Sequence, residues 1–186
     1  MNKELFDLLQ QKYSPIISKI INENARFYRM NRKITWCFGF DERVAVFASC
    51  NRETNVLTIN IASVDFAFQQ NEPLQIEYFL LHEIRHIFQH LEIEDYKNNP
   101  EKCNNLDLAK KWANEGDNYV AALDKNGNEN VQYFQQDLEL DAYAFAFAVM
   151  RYKYGNVPYL FKPKAYGNEF FEIVNEWIEC FEKEKL

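Results

Sequence analysis

Glycine and proline are scarce in this sequence, five of each in 186 residues, and histidine is scarcer still at three. So few turn-forming residues argue against a sandwich of many short strands, and a hydrophobic content of 47% argues against disorder. No stretch approaches the roughly eighteen apolar residues that a membrane-crossing helix needs. The start, MNKELFDLLQ, lacks the basic-then-apolar order of a secretory leader. These absences lead to the expectation of a cytoplasmic protein with no membrane partner. Positive charge is also in deficit: 21 Lys and Arg against 28 Asp and Glu leave a net charge of −7, and no basic cluster offsets it. Such a field repels phosphate backbones, so no nucleic-acid partner is expected. The four cysteines, Cys37, Cys50, Cys103 and Cys180, show no CxxC spacing. In a chain of this size they read as thiols in a reducing compartment.

What is present fits one domain, residues 1–186. Residues 1–43 read as an N-terminal helical scaffold, with Leu5, Leu8, Leu9, Ile16, Ile17 and Ile20 at helical spacing and Ser14-Pro15 as the expected break between two helices. Residues 44–153 read as a sheet with the helices that carry a site. VAVFASC (44–50) and VLTINI (56–61) are rich in β-branched residues and flank the turn-like NRETN, which predicts a hairpin. A helix is predicted over 73–93, with Asn71 as its cap and Pro73 in its first turn. A second is predicted over 106–123, and a loop over DKNGNEN (124–130). A third helix runs through VQYFQQDLELDAYAFAFAVMRYKY and stops at Gly155. Residues 154–186 supply a C-terminal helix over 168–183. The fold class is α+β, mostly helical with a small antiparallel β-sheet.

All three histidines lie in LLHEIRHIFQH, as His82, His86 and His90. Residues four apart share a helix face, so His82 and His86 can direct two imidazole nitrogens at one ion. Glu83 sits about 100° around the helix from His82, near enough to reach a water on that ion without replacing it. This is H-E-x-x-H, the zinc metallopeptidase signature, in which the metal acidifies a water and the glutamate takes its proton. The pattern can arise by chance on an amphipathic helix. Here Leu80, Leu81, Ile84, Ile87, Phe88 and Leu91 form a broad apolar stripe, and burying imidazoles and a carboxylate beside it is costly without a metal. His90 lies eight residues beyond His82, about 12 Å along a continuous helix, too far to share the ion.

A catalytic zinc site takes three protein ligands and leaves a fourth position for water. With no other histidine in reach, a carboxylate is favoured, and DLELDAYAFAFA offers Asp137, Glu139 and Asp141. Glu139 lines up with Ala142, Tyr143 and Ala146, while Asp137 and Asp141 occupy a face about 200° away. Periodicity does not choose between the two faces.

HEIRH followed by a helix with E-x-x-A and F-A resembles the gluzincin metallopeptidases. More narrowly, Glu139-Leu140-Asp141-Ala142-Tyr143-Ala144-Phe145-Ala146 resembles the E-x-E-A-N/D-x-F-A helix of the ImmA/IrrE-like peptidases. The likeness spans roughly residues 44–150. It implies a zincin-like minimal metallopeptidase fold, with Glu139 as the third ligand and VLTINI lying along the cleft to pair with extended peptide. The resulting expectation is Zn²⁺ held by His82, His86 and Glu139, with Glu83 as general base in an endopeptidase acting on protein or peptide substrate. Tyr133, Tyr143 and Arg85 are candidates to steady the oxyanion. The rival expectation is a catalytically inactive metal-binding module with a regulatory or protein-interaction role.

Overall fold

Asn2 starts the first helix: its side chain accepts a hydrogen bond from Leu5 N at 2.9 Å, and α1 then runs Lys3–Glu23. The expected break at Ser14-Pro15 is absent. Leu9, Tyr13, Ile17 and Ile21 recur every four residues and are all buried, on both sides of the exposed Pro15. At roughly 1.5–3 kcal/mol for each fully buried side chain, that stripe outweighs the ~3 kcal/mol cost of an interior proline. Ser14 Oγ also donates to Gln10 O at 2.7 Å.

The computed structural model describes residues 1–30, 32–43, 46–123, 128, 130–157 and 166–186. Val44 and Ala45 of the expected hairpin, and most of the expected 124–130 loop, lie outside the described residues. Among the described residues no helix is long and apolar enough to cross a membrane. The contacts divide the chain into two compact units, Met1–Ile87 and Phe88–Leu186.

In the first unit, β1 (Thr35–Gly39), β2 (Ala48–Cys50) and β3 (Val56–Asn60) form a sheet in the order β1-β3-β2. β2 and β3 make the predicted antiparallel hairpin, Cys50 opposite Leu57. β1 was not anticipated, and it pairs with β3 in parallel, Thr35 opposite Val56 through Gly39 opposite Asn60. The sheet is therefore mixed rather than antiparallel. Gly39 permits the close pairing, since a Cβ there would stand 2.8 Å from Thr58 Cγ2. Leu57 and Ile59 are fully buried in the central strand.

Asn60 ends β3 and begins the next helix. Its Oδ1 accepts from Asp41 N at 3.1 Å and Ala62 N at 3.2 Å, and its Nδ2 lies within bonding distance of Val46 O and Ser63 Oγ. Helix α2 (Ile61–Gln69) follows, so Ile61 belongs to a helix and not to the strand. Tyr13 of α1 donates to Asp65 of α2 at 2.6 Å and stacks on Phe68 at 5.1 Å. Asn71, expected to cap the following helix, instead closes α2. It takes φ 58°, and the amides of Asn71 and Glu72 return to Phe68 O and Ala67 O at 3.2 and 2.8 Å. That is the Schellman arrangement, in which a left-handed residue follows the helix. Helix α3 then runs Pro73–Asn98, longer than the predicted 73–93.

In the second unit, the last turns of α3 are tied by polar groups. Gln89 Nε2 donates to Leu138 O (2.9 Å) and Asp141 Oδ2 (2.8 Å), and the buried Glu92 accepts from Asn104 N at 2.9 Å. Helix α4 covers Leu106–Asp117, ending before the predicted residue 123. The predicted helix through 131–154 is two: α5 (Val131–Phe134) and α6 (Asp137–Tyr154). The interruption has a long-range cause. Gln136, extended at ψ 137°, accepts from Val120 N at 2.8 Å and donates to Val120 O at 3.1 Å. The Glu115 carboxylate of α4 accepts from Asp137 N and Leu138 N at 2.8 and 3.0 Å, serving two amides at the start of α6. As predicted, α6 ends at Gly155, whose φ is 74°. Ala142, Ala144, Ala146 and Ala148 are fully buried, so α6 admits close neighbours. Helix α7 (Asn168–Glu184) packs on it, with Trp177 edge-on to Phe145 at 5.2 Å.

Candidate metal centre

His82 and His86 belong to adjacent turns of α3, and their side chains converge as the four-residue spacing predicts. His82 is 2% exposed, the rings cross at 88°, and the two Nε2 atoms stand 3.0 Å apart. Two nitrogens each ~2.0–2.1 Å from a tetrahedral ion would be about 3.3 Å apart, so the pair already has nearly the spacing a shared ion requires. Glu83 Oε1 lies 3.9 Å from His82 Nε2, and its carboxylate keeps partial access to solvent at 16% exposure. That places an acid beside the ligand nitrogens without making it one of the converging atoms.

Cys50 sits close enough to Glu83 for the carboxylate's charge to act on it. Burial first, and then that charge, push the Cys50 thiol up to about 12. It stays protonated at neutral pH and does not present a thiolate to the site. Cys50 belongs to β2, at the edge of the sheet. β3, which carries all of VLTINI except Ile61, lies between β1 and β2, so both its edges are already paired and it has none to offer an extended peptide.

Glu139 lies in the first turn of α6 and is fully buried. Among the described residues, His82, His86 and Glu139 form a cluster whose ligand atoms all lie within 4.8 Å of one another. The remaining acids of the same helix go elsewhere. Asp141 accepts from Gln89, and Asp137 pairs with Lys111 Nζ at 2.6 Å. His90 is not in the cluster.

Tyrosines surround the Glu139 carboxylate. Tyr119 donates to its Oε1 at 2.5 Å, from a ring that is itself 48% exposed. Burial first, and then the charge of Glu139, raise the Tyr133 phenol well above its usual range, and a hydrogen-bonding interaction with the same carboxylate adds to the rise. Tyr166 is raised by burial, then by the charges of Glu139 and Tyr143. Of the earlier oxyanion candidates, Tyr133 falls in this group, Tyr143 meets the Tyr166 ring at 6.1 Å, and Arg85 is a buried residue of α3 at 3% exposure. Tyr119 and Tyr166 were not anticipated. Tyr119 lies just past the end of α4, inside a segment read as helix, and nothing in its local sequence sets it apart from the other ten tyrosines.

Two imidazoles and one carboxylate suit zinc, because imidazole is a favoured ligand of that ion while calcium and magnesium prefer all-oxygen shells. The donor set and the 3.0 Å nitrogen spacing fit the group that the sequence implied. Comparison with family models, with curated proteins and with solved structures gave no match.

Proposed function

We propose that this protein is a zinc-dependent metallopeptidase, an endopeptidase of gluzincin type most like the ImmA/IrrE-like family. The observation that carries the reading is the convergence of His82, His86 and Glu139 beside an acid, Glu83, that is not one of the converging ligands. A catalytic site differs from a structural one in leaving a position open, and three protein ligands meet that condition.

His82, His86 and Glu139 would hold the ion. Bound there, zinc would lower the pKa of a water and polarise a peptide carbonyl. Glu83 would take the proton from the attacking water and return it to the leaving amine, a task that needs a carboxylate with some access to solvent. Tyr119 would keep the Glu139 carboxylate oriented through its hydrogen bond, as partners of metal ligands commonly do. β2, an edge strand that carries Cys50 near Glu83, would offer its backbone to an extended substrate. The net charge of −7 disfavours acidic substrates, and the isolated thiols suit a cytoplasmic setting.

The test pairs zinc analysis with hydrolysis. Wild-type protein purified without chelator should hold close to one zinc per chain and cut unfolded protein or a peptide library. Glu83→Gln should keep the zinc and lose cleavage by on the order of 10²–10⁴-fold, the usual contribution of a general base. Full zinc with no hydrolysis of any peptide would overturn the peptidase reading and leave a metal-binding module.

A further inference from the structure

From Ile76 to Gln89, a stretch described throughout, every residue of α3 is buried except Phe79, Glu83 and His86. Their spacings of four and three residues put these three on one line along the helix. That line is the strip of the stretch that solvent reaches, and it carries the proposed base and one proposed ligand. Phe79 is out of character in it. Its half-buried ring keeps apolar surface in water, while Tyr78 and Leu80 on either side are buried in the core.

A second ring enlarges that surface. Phe47, also half-buried, stacks on Phe79 at 4.6 Å and 11°. Phe47 directly precedes β2, and its backbone is anchored: Phe47 O accepts from Asn60 N at 2.8 Å, and Val46 O accepts from Ser63 Oγ at 2.8 Å. The stack is therefore held between a helix and a fixed strand end. Phe47, Phe79, Glu83 and His86 all belong to the unit Met1–Ile87. Phe79 precedes Glu83 by four residues, about 6 Å along the helix. An extended peptide advances about 3.3 Å per residue, so that distance is a step of no more than two residues.

We infer that the Phe47–Phe79 stack is a specificity subsite that receives a bulky apolar side chain of the substrate, aromatic for preference, within two residues of the scissile bond. The inference rests on the peptidase reading above and adds the substrate class to it. An incoming ring would cover the apolar surface now in water, and the neighbouring Glu83 carboxylate makes an acidic side chain the poorest occupant.

The test uses the zinc-loaded full chain and peptides of glycine and alanine in which one position is Phe, Ala or Asp, with cuts mapped by mass spectrometry. Wild type should cut within two residues of the phenylalanine, with kcat/KM at least about tenfold above the alanine peptide, the low end of what one methylene gives in a hydrophobic pocket. The aspartate peptide should be slowest. Phe47→Ala, which leaves α3 unaltered, and Phe79→Leu should each collapse the Phe-to-Ala ratio toward one. A merely structural role would slow both peptides alike and keep the ratio. Absence of a phenylalanine preference in wild type, or a ratio retained in both variants, would overturn the subsite and leave the peptidase reading standing. If wild type cuts no peptide, the peptidase reading falls, and binding decides the subsite. Acetyl-glycyl-phenylalanine hydroxamate, anchored on the zinc, should then bind wild type at least about tenfold more tightly than its alanine counterpart, and Phe47→Ala should lose the difference. That result would sustain the side-chain site in a metal-binding module, and equal affinities in wild type would overturn it.

Discussion

On the zinc reading proposed above, replacing Glu139 by glutamine should have opposite effects on the metal-free and zinc-loaded protein. In the metal-free chain the Glu139 carboxylate is fully buried, and an amide costs less to bury than a charge. The variant should then unfold at a temperature no lower than wild type. With zinc the order reverses. Free zinc buffered at 100 times the wild-type Kd stabilises the folded chain by about 2.7 kcal/mol. For a chain of this length, that raises Tm by about 5–11 °C, at ~2–4 °C per kcal/mol. Loss of an outer partner of a metal ligand already weakens affinity ~10–100-fold, so loss of the ligand itself should reach at least the top of that range. At the same zinc concentration the variant would sit near its own Kd and gain only about 0.4 kcal/mol, or ~1–2 °C. Asp141→Asn is the control, because an asparagine carbonyl can still accept from Gln89 Nε2, now 2.8 Å from Asp141 Oδ2. Thermal unfolding of the three proteins, with chelator and with buffered zinc, is the assay. A full zinc shift in Glu139→Gln together with a lost shift in Asp141→Asn would refute the assignment of the third ligand.

Two further outcomes follow from groups the fold places together. Glu115→Ala removes the acceptor for the amides of Asp137 and Leu138, and loss of a helix cap typically costs ~1–2 kcal/mol. Tm should fall by about 2–8 °C, and zinc affinity should fall with it, since Glu139 lies in the turn that loosens; an unchanged Tm in differential scanning calorimetry would contradict the capping role. Cys50 should alkylate with iodoacetamide far more slowly than an exposed thiol at pH 8, because its thiol is held at about 12. Burial is the larger cause and Glu83 the second, so Glu83→Gln should speed the reaction while leaving it slow. The measurement is the pH–rate profile in a chain whose other three cysteines are serine, and no acceleration would place Cys50 beyond the reach of that charge.

The sequence by itself determined the features that depend on neighbours along the chain. The four-residue spacing of His82 and His86 suffices to put their nitrogens on one face, and the structure has them 3.0 Å apart. The β2–β3 hairpin, the end of α6 at Gly155 and the span of α7 were legible for the same reason, since turn residues and helical period act locally. The mostly helical α+β class followed from those elements.

The tertiary structure alone decided where local rules competed or fell silent. Proline predicted a break in α1, and buried contacts on both sides of Pro15 overrode it. Thr35–Gly39 carried too weak a pattern to be read as a strand, and it becomes one by pairing in parallel with β3 some twenty residues away. That pairing also places β3 at the centre of the sheet and leaves β2 at its edge. The sequence ran one helix through Gln135 and Gln136, where bonds with Val120 and amides donating to Glu115 begin a new one. Periodicity offered Glu139 and Asp141 on different faces and could not rank them. In the packed fold Asp141 is committed to Gln89, which leaves Glu139 as the acid of that helix that could hold an ion with the histidines. Tyr119, Tyr133 and Tyr166, which interact with Glu139, come from separate parts of the chain, so no window of sequence contains the signal that they gather there. A helix reports its own faces through its period, but which side chain from a distant segment completes a site is set by tertiary packing.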